Sequence, residues 1–102
     1  MQVELTDFAI QQLAEIHSYY AEVASEKVAL KVTNNILDSI ETLEQLPTIG
    51  SREPYLAEME LKHKFIVSGN YKIIFRKEEN AIYVTDIFDG RQDPSKITDR
   101  NK

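Results

Sequence analysis

Cysteine is absent from the 102 residues, which excludes a disulfide framework and any thiolate metal site. The two histidines, His17 and His63, are isolated and too few for a His-based metal site, so neither metal nor cofactor nor small-molecule ligand is implied. Long apolar runs are missing too: nothing approaches the roughly eighteen consecutive residues of a membrane-crossing helix. The opening Met1-Gln2-Val3-Glu4-Leu5 lacks the basic and apolar regions of a secretion signal. The expectation is a soluble cytoplasmic protein with no membrane partner. Positive charge is in deficit, with 12 Lys/Arg against 17 Asp/Glu and a pI of about 5.0, which argues against non-specific binding to long DNA or RNA. What remains, 42% apolar residues, suffices for one small domain spanning residues 1 to 102.

The scarce positive charge is concentrated. Between Lys62 and Lys77 stand five Lys/Arg and no acid, whereas residues 1 to 61 carry three against eleven and residues 78 to 102 four against six. A basic strip on an acidic body suggests a site for a phosphate backbone or an acidic protein surface. Lysine as protection of an exposed strand edge is the plainer alternative. The strip lies in the stretch Lys62 to Arg91, where three runs of strand-type residues, Lys64 to Val67, Tyr71 to Arg76 and Ile82 to Phe88, surround two turn signals, Ser68-Gly69-Asn70 and Glu78-Glu79-Asn80. That is the pattern of an antiparallel meander.

Ahead of it, Gln2 to Leu5 reads as an edge strand and Thr6 as the N-cap of a helix running to about Val23. Leu5 and Ile10 fall at the positions of a hydrophobic staple, and Ile10, Leu13, Ala14, Tyr20 and Ala21 keep helical spacing. Ser25 is the candidate cap of a second helix through Val28, Val32, Ile36, Ile40 and Leu43, stopped by Pro47. So short a connection predicts an antiparallel helix pair covering one face of the sheet, with Glu15, Glu22, Glu26, Glu41 and Glu44 outward. Pro47 to Pro54 is the long irregular stretch that bridges helices and sheet. Strict alternation puts Tyr71, Ile73 and Phe75 on one face and Lys72, Ile74 and Arg76 on the other; it groups Ile82, Val84, Asp86 and Phe88 against Tyr83, Thr85 and Ile87. One face is expected under the helices and the other as a shallow groove near Lys62, Lys64, Lys72, Arg76 and Arg91. Ser95 to Arg100 reads as a short helical turn or a frayed end. The fold class is α+β: a two-helix antiparallel hairpin on a small, mostly antiparallel twisted sheet.

Several side chains invite chemistry. His63, between two lysines, is a surface residue or a general base. His17 is a boundary residue. Tyr71 and Tyr83 are packing residues with a polar tip, or proton donors. Asp86 and Asp89 pair with nearby cations, or one acts as a base. Arg91 is the residue most readily called functional, with a turn-stabilising salt bridge as the alternative.

The strand-helix-helix opening, the helix ending at Leu46-Pro47 with Gly50 soon after, the segment Ser68-Gly69-Asn70-Tyr71-Lys72-Ile73-Ile74-Phe75-Arg76 and the closing Ile87-Phe88-Asp89-Gly90-Arg91-Gln92-Asp93-Pro94 together resemble the RelE/ParE superfamily of bacterial toxins, over nearly the whole chain. The resemblance implies a type II toxin held inactive by a cognate antitoxin, whose C-terminal segment wraps it and covers the basic strip with acidic side chains. Two branches differ in mechanism. RelE-like members resemble ribosome-dependent mRNA endonucleases; by that likeness Lys72 and Arg91 match arginines of the family, and Lys62, Lys64, Lys72, Arg76 and Arg91 would grip phosphate. The C-terminal Tyr or His that helps proton transfer does not carry over, since nothing aromatic or imidazole follows Arg91. Losing such help typically costs about 10²- to 10⁴-fold. ParE-like members, which the tail resembles better, are implied to bind DNA gyrase without catalysing anything, with Lys72, Arg76 and Arg91 as candidate target contacts.

Overall fold

A computed structural model describes residues 1–57 and 62–101. The chain runs β1 (Gln2–Leu5), α1 (Asp7–Val23), α2 (Glu26–Gln45), β2 (Ser51–Arg52), a 3-10 turn (Pro54–Leu56), β3 (Lys64–Ser68), β4 (Tyr71–Glu78), β5 (Ala81–Asp89) and α3 (Ser95–Arg100). Thr6 Oγ1 accepts from the Ala9 N–H at 3.2 Å and Ser25 Oγ from the Val28 N–H at 3.1 Å, so both helices begin at their side-chain caps. Each cap contributes about 1 kcal/mol. Two residues, Ala24 and Ser25, join the helices and force them antiparallel. The five acids expected outward are exposed.

The sheet has the order β1-β5-β4-β3-β2. β1 pairs with β5 in parallel, while β3, β4 and β5 form the expected meander and β2 adds two antiparallel residues beyond β3. β2 arises inside the stretch expected to be irregular, and the 3-10 turn begins at its last residue, Pro54. Two residues of strand carry almost no alternation to read.

The helices cover one face. Ala9 and Ile16 of α1 and Ile36, Ile40 and Leu43 of α2 pack on Tyr71, Ile73 and Phe75 of β4 and on Ile82, Val84 and Ile87 of β5. The stripe of α1 that meets the core runs through Ala9, Leu13, Ile16 and Tyr20: Leu13 and Tyr20 are as expected, whereas Ala9 and Ile16 stand in place of Ile10, Ala14 and Ala21, and Ile10 is 53% exposed. Ala9 is fully buried in this cluster.

Strict alternation fails on β5. Ile74 pairs with Asp86 but Phe75 pairs with Val84, so Thr85 is an extra residue, a β-bulge. One inserted residue reverses the faces of everything beyond it. Ile87 accordingly joins Ile82 and Val84 under the helices, and Asp86 and Phe88 face the other way. That second face is not the expected shallow groove. Leu56 of the 3-10 turn and Ile97 of α3 plug it, packing with Ile74, Phe88 and Phe65 into a second apolar cluster. Ser95 to Arg100 is thus a helix with a buried anchor, Ile97, rather than a frayed end. No helix among the described residues is long and apolar enough to cross a membrane.

Candidate functional site

The five cations singled out in the sequence fall into three places. Lys72 lies on the plugged face, where its Nζ stands 2.9 Å from Glu53 Oε2, 4.3 Å from the centre of the Phe65 ring and 5.8 Å from that of Tyr55. Glu53 is fully buried, and its other oxygen accepts from the Tyr55 N–H to begin the 3-10 turn. Lys72 is therefore the counter-ion of an internal carboxylate. Arg76, on the same face, lies over the Tyr83 ring at 5.1 Å and against Glu78. Both side chains are 21% exposed.

Arg91 stands at the opposite end of the helix-covered face. Asp89 Oδ1 accepts from the Arg91 backbone N–H and from Nε, each at 2.9 Å, and Oδ2 accepts from Nη2 at 2.8 Å. These bonds hold the Asp89 carboxyl below the usual carboxylate range. A longer contact of 3.4 Å reaches Tyr20 Oη, which also receives the Tyr71 hydroxyl at 3.4 Å. Burial, together with that bond to Tyr20, pushes the Tyr71 phenol well above its ordinary value and leaves it neutral. Arg91 therefore does make the turn-stabilising pair considered from sequence, yet its side chain remains 54% exposed. It lines a cleft of about 420 Å³ with Gln12, Ile16, Tyr19 and Gln92 among its walls.

Lys62 and Lys64 occupy the third place, a cleft of about 360 Å³ shared with Lys77, Glu79, Pro47 and Phe75. Lys64 and Lys77 are on the helix side of the sheet, because Lys64 pairs with Phe75 and Lys77 with Ile82. From Tyr71 to Lys77 along β4 is roughly 20 Å, so this cleft and the Arg91 clasp sit at opposite ends of one face. The groove expected to gather Lys62, Lys64, Lys72, Arg76 and Arg91 does not form: the plug fills one face and the alternation of β4 sends Lys72 and Arg76 away from the rest.

Residues the sequence reading passed over complete the picture. Glu53 was signalled only by its position before Pro54, a capping site. Lys77 belongs to the basic strip, and its direction follows from β4 running two residues beyond Arg76. Arg100 binds Asp86 and lies between the Phe8 and Phe88 rings at 5.2 and 5.1 Å, while Asn101 Nδ2 donates to Asp86 Oδ2 at 3.0 Å. Burial raises the Asp86 carboxyl even so, with the bonds from Asn101 and Arg100 opposing it.

These placements bear on chemistry. Asp86 and Asp89 are both held by arginines, as their simpler reading had it. His63 is 4% exposed rather than a surface residue, and its carbonyl accepts from the Glu53 N–H at 2.9 Å. Tyr71 belongs to the core and Tyr83 stacks on Arg76. Among the described residues, no three His, Asp or Glu side chains gather as a metal site would need. The surface offers a guanidinium held at a fixed angle and a cleft lined by lysines.

A family model described as the ParE toxin of the type II toxin-antitoxin system parDE matches residues 3–94. A solved structure described as the chromosomal ParDE TA system from P. aeruginosa is similar with a TM-score of 0.72, covering 85% of this chain and 92% of that one at 21% identity, a likeness of fold. No curated protein matches the chain.

Proposed function

The chain belongs to the ParE toxin family of type II toxin-antitoxin systems, and from that premise we propose that it arrests growth by binding DNA gyrase and trapping it, without catalysing a reaction of its own, while a cognate antitoxin holds it inactive. The observation that carries this reading is the dispersal of the cations. Lys72, Arg76 and Arg91 lie on two faces and each is paired with a carboxylate. Phosphoryl chemistry needs positive charge and an acid-base pair converging on one phosphorus, whereas a binder needs only a shaped surface.

Of the three candidate target contacts, Arg91 is assigned the direct one, since it is more than twice as exposed as the other two. Asp89 fixes its fork and the neighbouring cleft supplies an apolar wall in Ile16 and Tyr19. Lys72 and Arg76 would contribute by keeping the second face closed. The protein is placed in the cytoplasm, where gyrase and DNA are, with residues 1 to 102 acting as one toxin domain.

Supercoiling by purified gyrase tests the proposal. The wild type should inhibit it and stabilise cleaved DNA, the adjacent gene product should relieve the inhibition, and Arg91→Ala should weaken it about tenfold, as the loss of one charged contact would. Supercoiling left untouched by the wild type would sink the reading. New mRNA 5′ ends at the ribosomal A site during induction would instead make the chain a ribosome-dependent endonuclease.

A further inference from the structure

Residues three, four and seven apart share one side of a helix, and α1 turns Gln12, Glu15, Ile16 and Tyr19 into the cleft of about 420 Å³ that Arg91 lines. The cleft carries both signs of charge. Arg91 is held by Asp89 through Nε and Nη2, which leaves Nη1 without a bond to a described residue. Arg100 lines the same cleft with Nη2 on Asp86, and its Nε is buried with no hydrogen-bond partner among the described residues. Buried donors are rarely left so, which asks for an acceptor there. Glu15, in contrast, pairs with no described cation; only the Gln11 amide reaches it, at a long 3.4 Å. Because Asp89 and Asp86 already neutralise the two arginines, Glu15 leaves the group with a surplus negative charge. Tyr19 adds a ring that is 55% exposed, its plane set by an edge contact with Tyr20 at 5.1 Å and 83°.

We propose that this cleft binds a guanine base, with Tyr19 stacking on the ring, Glu15 accepting from N1–H and the N2 amino group, and Nη1 of Arg91 donating to O6. The charges select against the simpler ligands. An anion meets the surplus carboxylate, and its bidentate edge on Arg91 is already taken by Asp89. A cation meets two guanidiniums. What suits the lining is a neutral planar group with donors for Glu15 and acceptors for Arg91. Guanine alone among the bases sets two N–H donors side by side, matching the two oxygens of one carboxylate, with O6 next to them as the usual acceptor for arginine. Adenine and cytosine put a ring lone pair beside their amino group, and thymine and uracil flank their one N–H with carbonyls; each sets an acceptor against the carboxylate. An exposed aromatic ring then supplies stacking, as it does wherever unpaired bases are held. The assignment rests on the cleft and not on the gyrase reading, although it uses the same arginine; where both hold, guanine and gyrase compete for it. The base has two sources, a free guanine nucleotide or an unpaired guanine in a nucleic acid.

The test is a titration of the isotope-labelled full chain with guanosine monophosphate, followed by amide chemical shifts in NMR. Tyr19, Arg91 and Gln92 should shift and saturate, and adenosine monophosphate should bind about tenfold more weakly. Inosine monophosphate, which lacks the N2 amino group, should fall between them. Glu15→Gln should weaken guanosine monophosphate about tenfold and erase its advantage over inosine monophosphate, a change of selectivity that a purely structural role for Glu15 would not produce. Tyr19→Ala should weaken every base, and Tyr19→Phe should not. Equal binding of guanine and adenine, no saturable shift, or indifference to Glu15→Gln would overturn the proposal. So would inorganic phosphate or arginine amide reproducing the shifts at the same concentration. A pentadeoxynucleotide with one guanine among thymines separates the sources: binding tighter than the mononucleotide assigns the base to a nucleic acid, and weaker binding assigns it to a free nucleotide. Gyrase is read separately, so guanine binding without inhibition sinks only the target reading, and inhibition without guanine binding sinks only the base site.

Discussion

Lys72 and Lys77 stand five positions apart on β4 and are the same residue, yet the fold uses them in opposite ways. Lys72 points to the plugged face and neutralises Glu53, a carboxylate with no exposure to water. Lys77 points to the helix side, beyond the reach of the helices, where no described carboxylate pairs with it. A cation beside a buried acid is a structural part, because removing it strands a charge in low dielectric. One on an open cleft is nearly irrelevant to stability and available to a partner. Net charge alone therefore says little about function until each charge has been assigned its counter-ion.

The contrast can be broken most severely at Lys72. Lys72→Ala should cost about 3 kcal/mol or more in denaturant unfolding, since Glu53 is left uncompensated, and adding Glu53→Gln to a Lys72→Met background should recover much of the loss. A double variant as unstable as the sum of the singles would show that the pair does not couple. Next in size is Gly50→Ala, expected to cost about 2 kcal/mol, because an alanine at positive φ is strained and its Cβ meets Phe75. Thermal melts of the variant check it.

On the open side, Lys77→Ala and Lys64→Ala should each change stability by less than about 0.5 kcal/mol, with Lys64→Ala tending to stabilise by relieving its opposition to Arg52. A loss near that of Lys72→Ala would erase the distinction between the two ends of the strand. The smallest effect is the pH dependence of the Asp89 clasp. Its carboxyl has a lowered value in the folded state, so its stabilisation is present above the ordinary carboxylate value and is lost as pH falls through and below that range. Acid titrations of the wild type and Asp89→Asn should differ by a constant amount above the ordinary carboxylate value and converge as pH falls through and below it, with the wild type falling the more steeply.

Much of this arrangement was legible in the chain. Thr6 and Ser25 announced their helices because a cap is a local hydrogen bond between neighbours in sequence. The three strands of the meander announced themselves through β-branched and aromatic runs between turn signals. The candidate site was legible only as a list of cations. Thr85 is where that reading failed: a bulge is one extra residue whose cause lies on the partner strand, and it sent Asp86 and Ile87 to the faces opposite those expected. Ile10 failed likewise, since helical spacing specifies a stripe to within one position and the docking of Ala9 on β5 chose between neighbouring stripes.

What the sequence by itself determined was set by near neighbours: the order of the first strand, the two long helices and the three-strand meander, the helix caps, the absence of thiol chemistry, and a block of positive charge on an acidic protein. Only the tertiary structure decided which charges are spent. Glu53 meets Lys72 and Asp86 meets Arg100 across 19 and 14 residues of chain, and whether such groups touch depends on the bulge, the plug of Leu56 and Ile97, and the register of the strands. Electrostatics acts through space at a few ångströms, and distance in space is what a sequence leaves unstated.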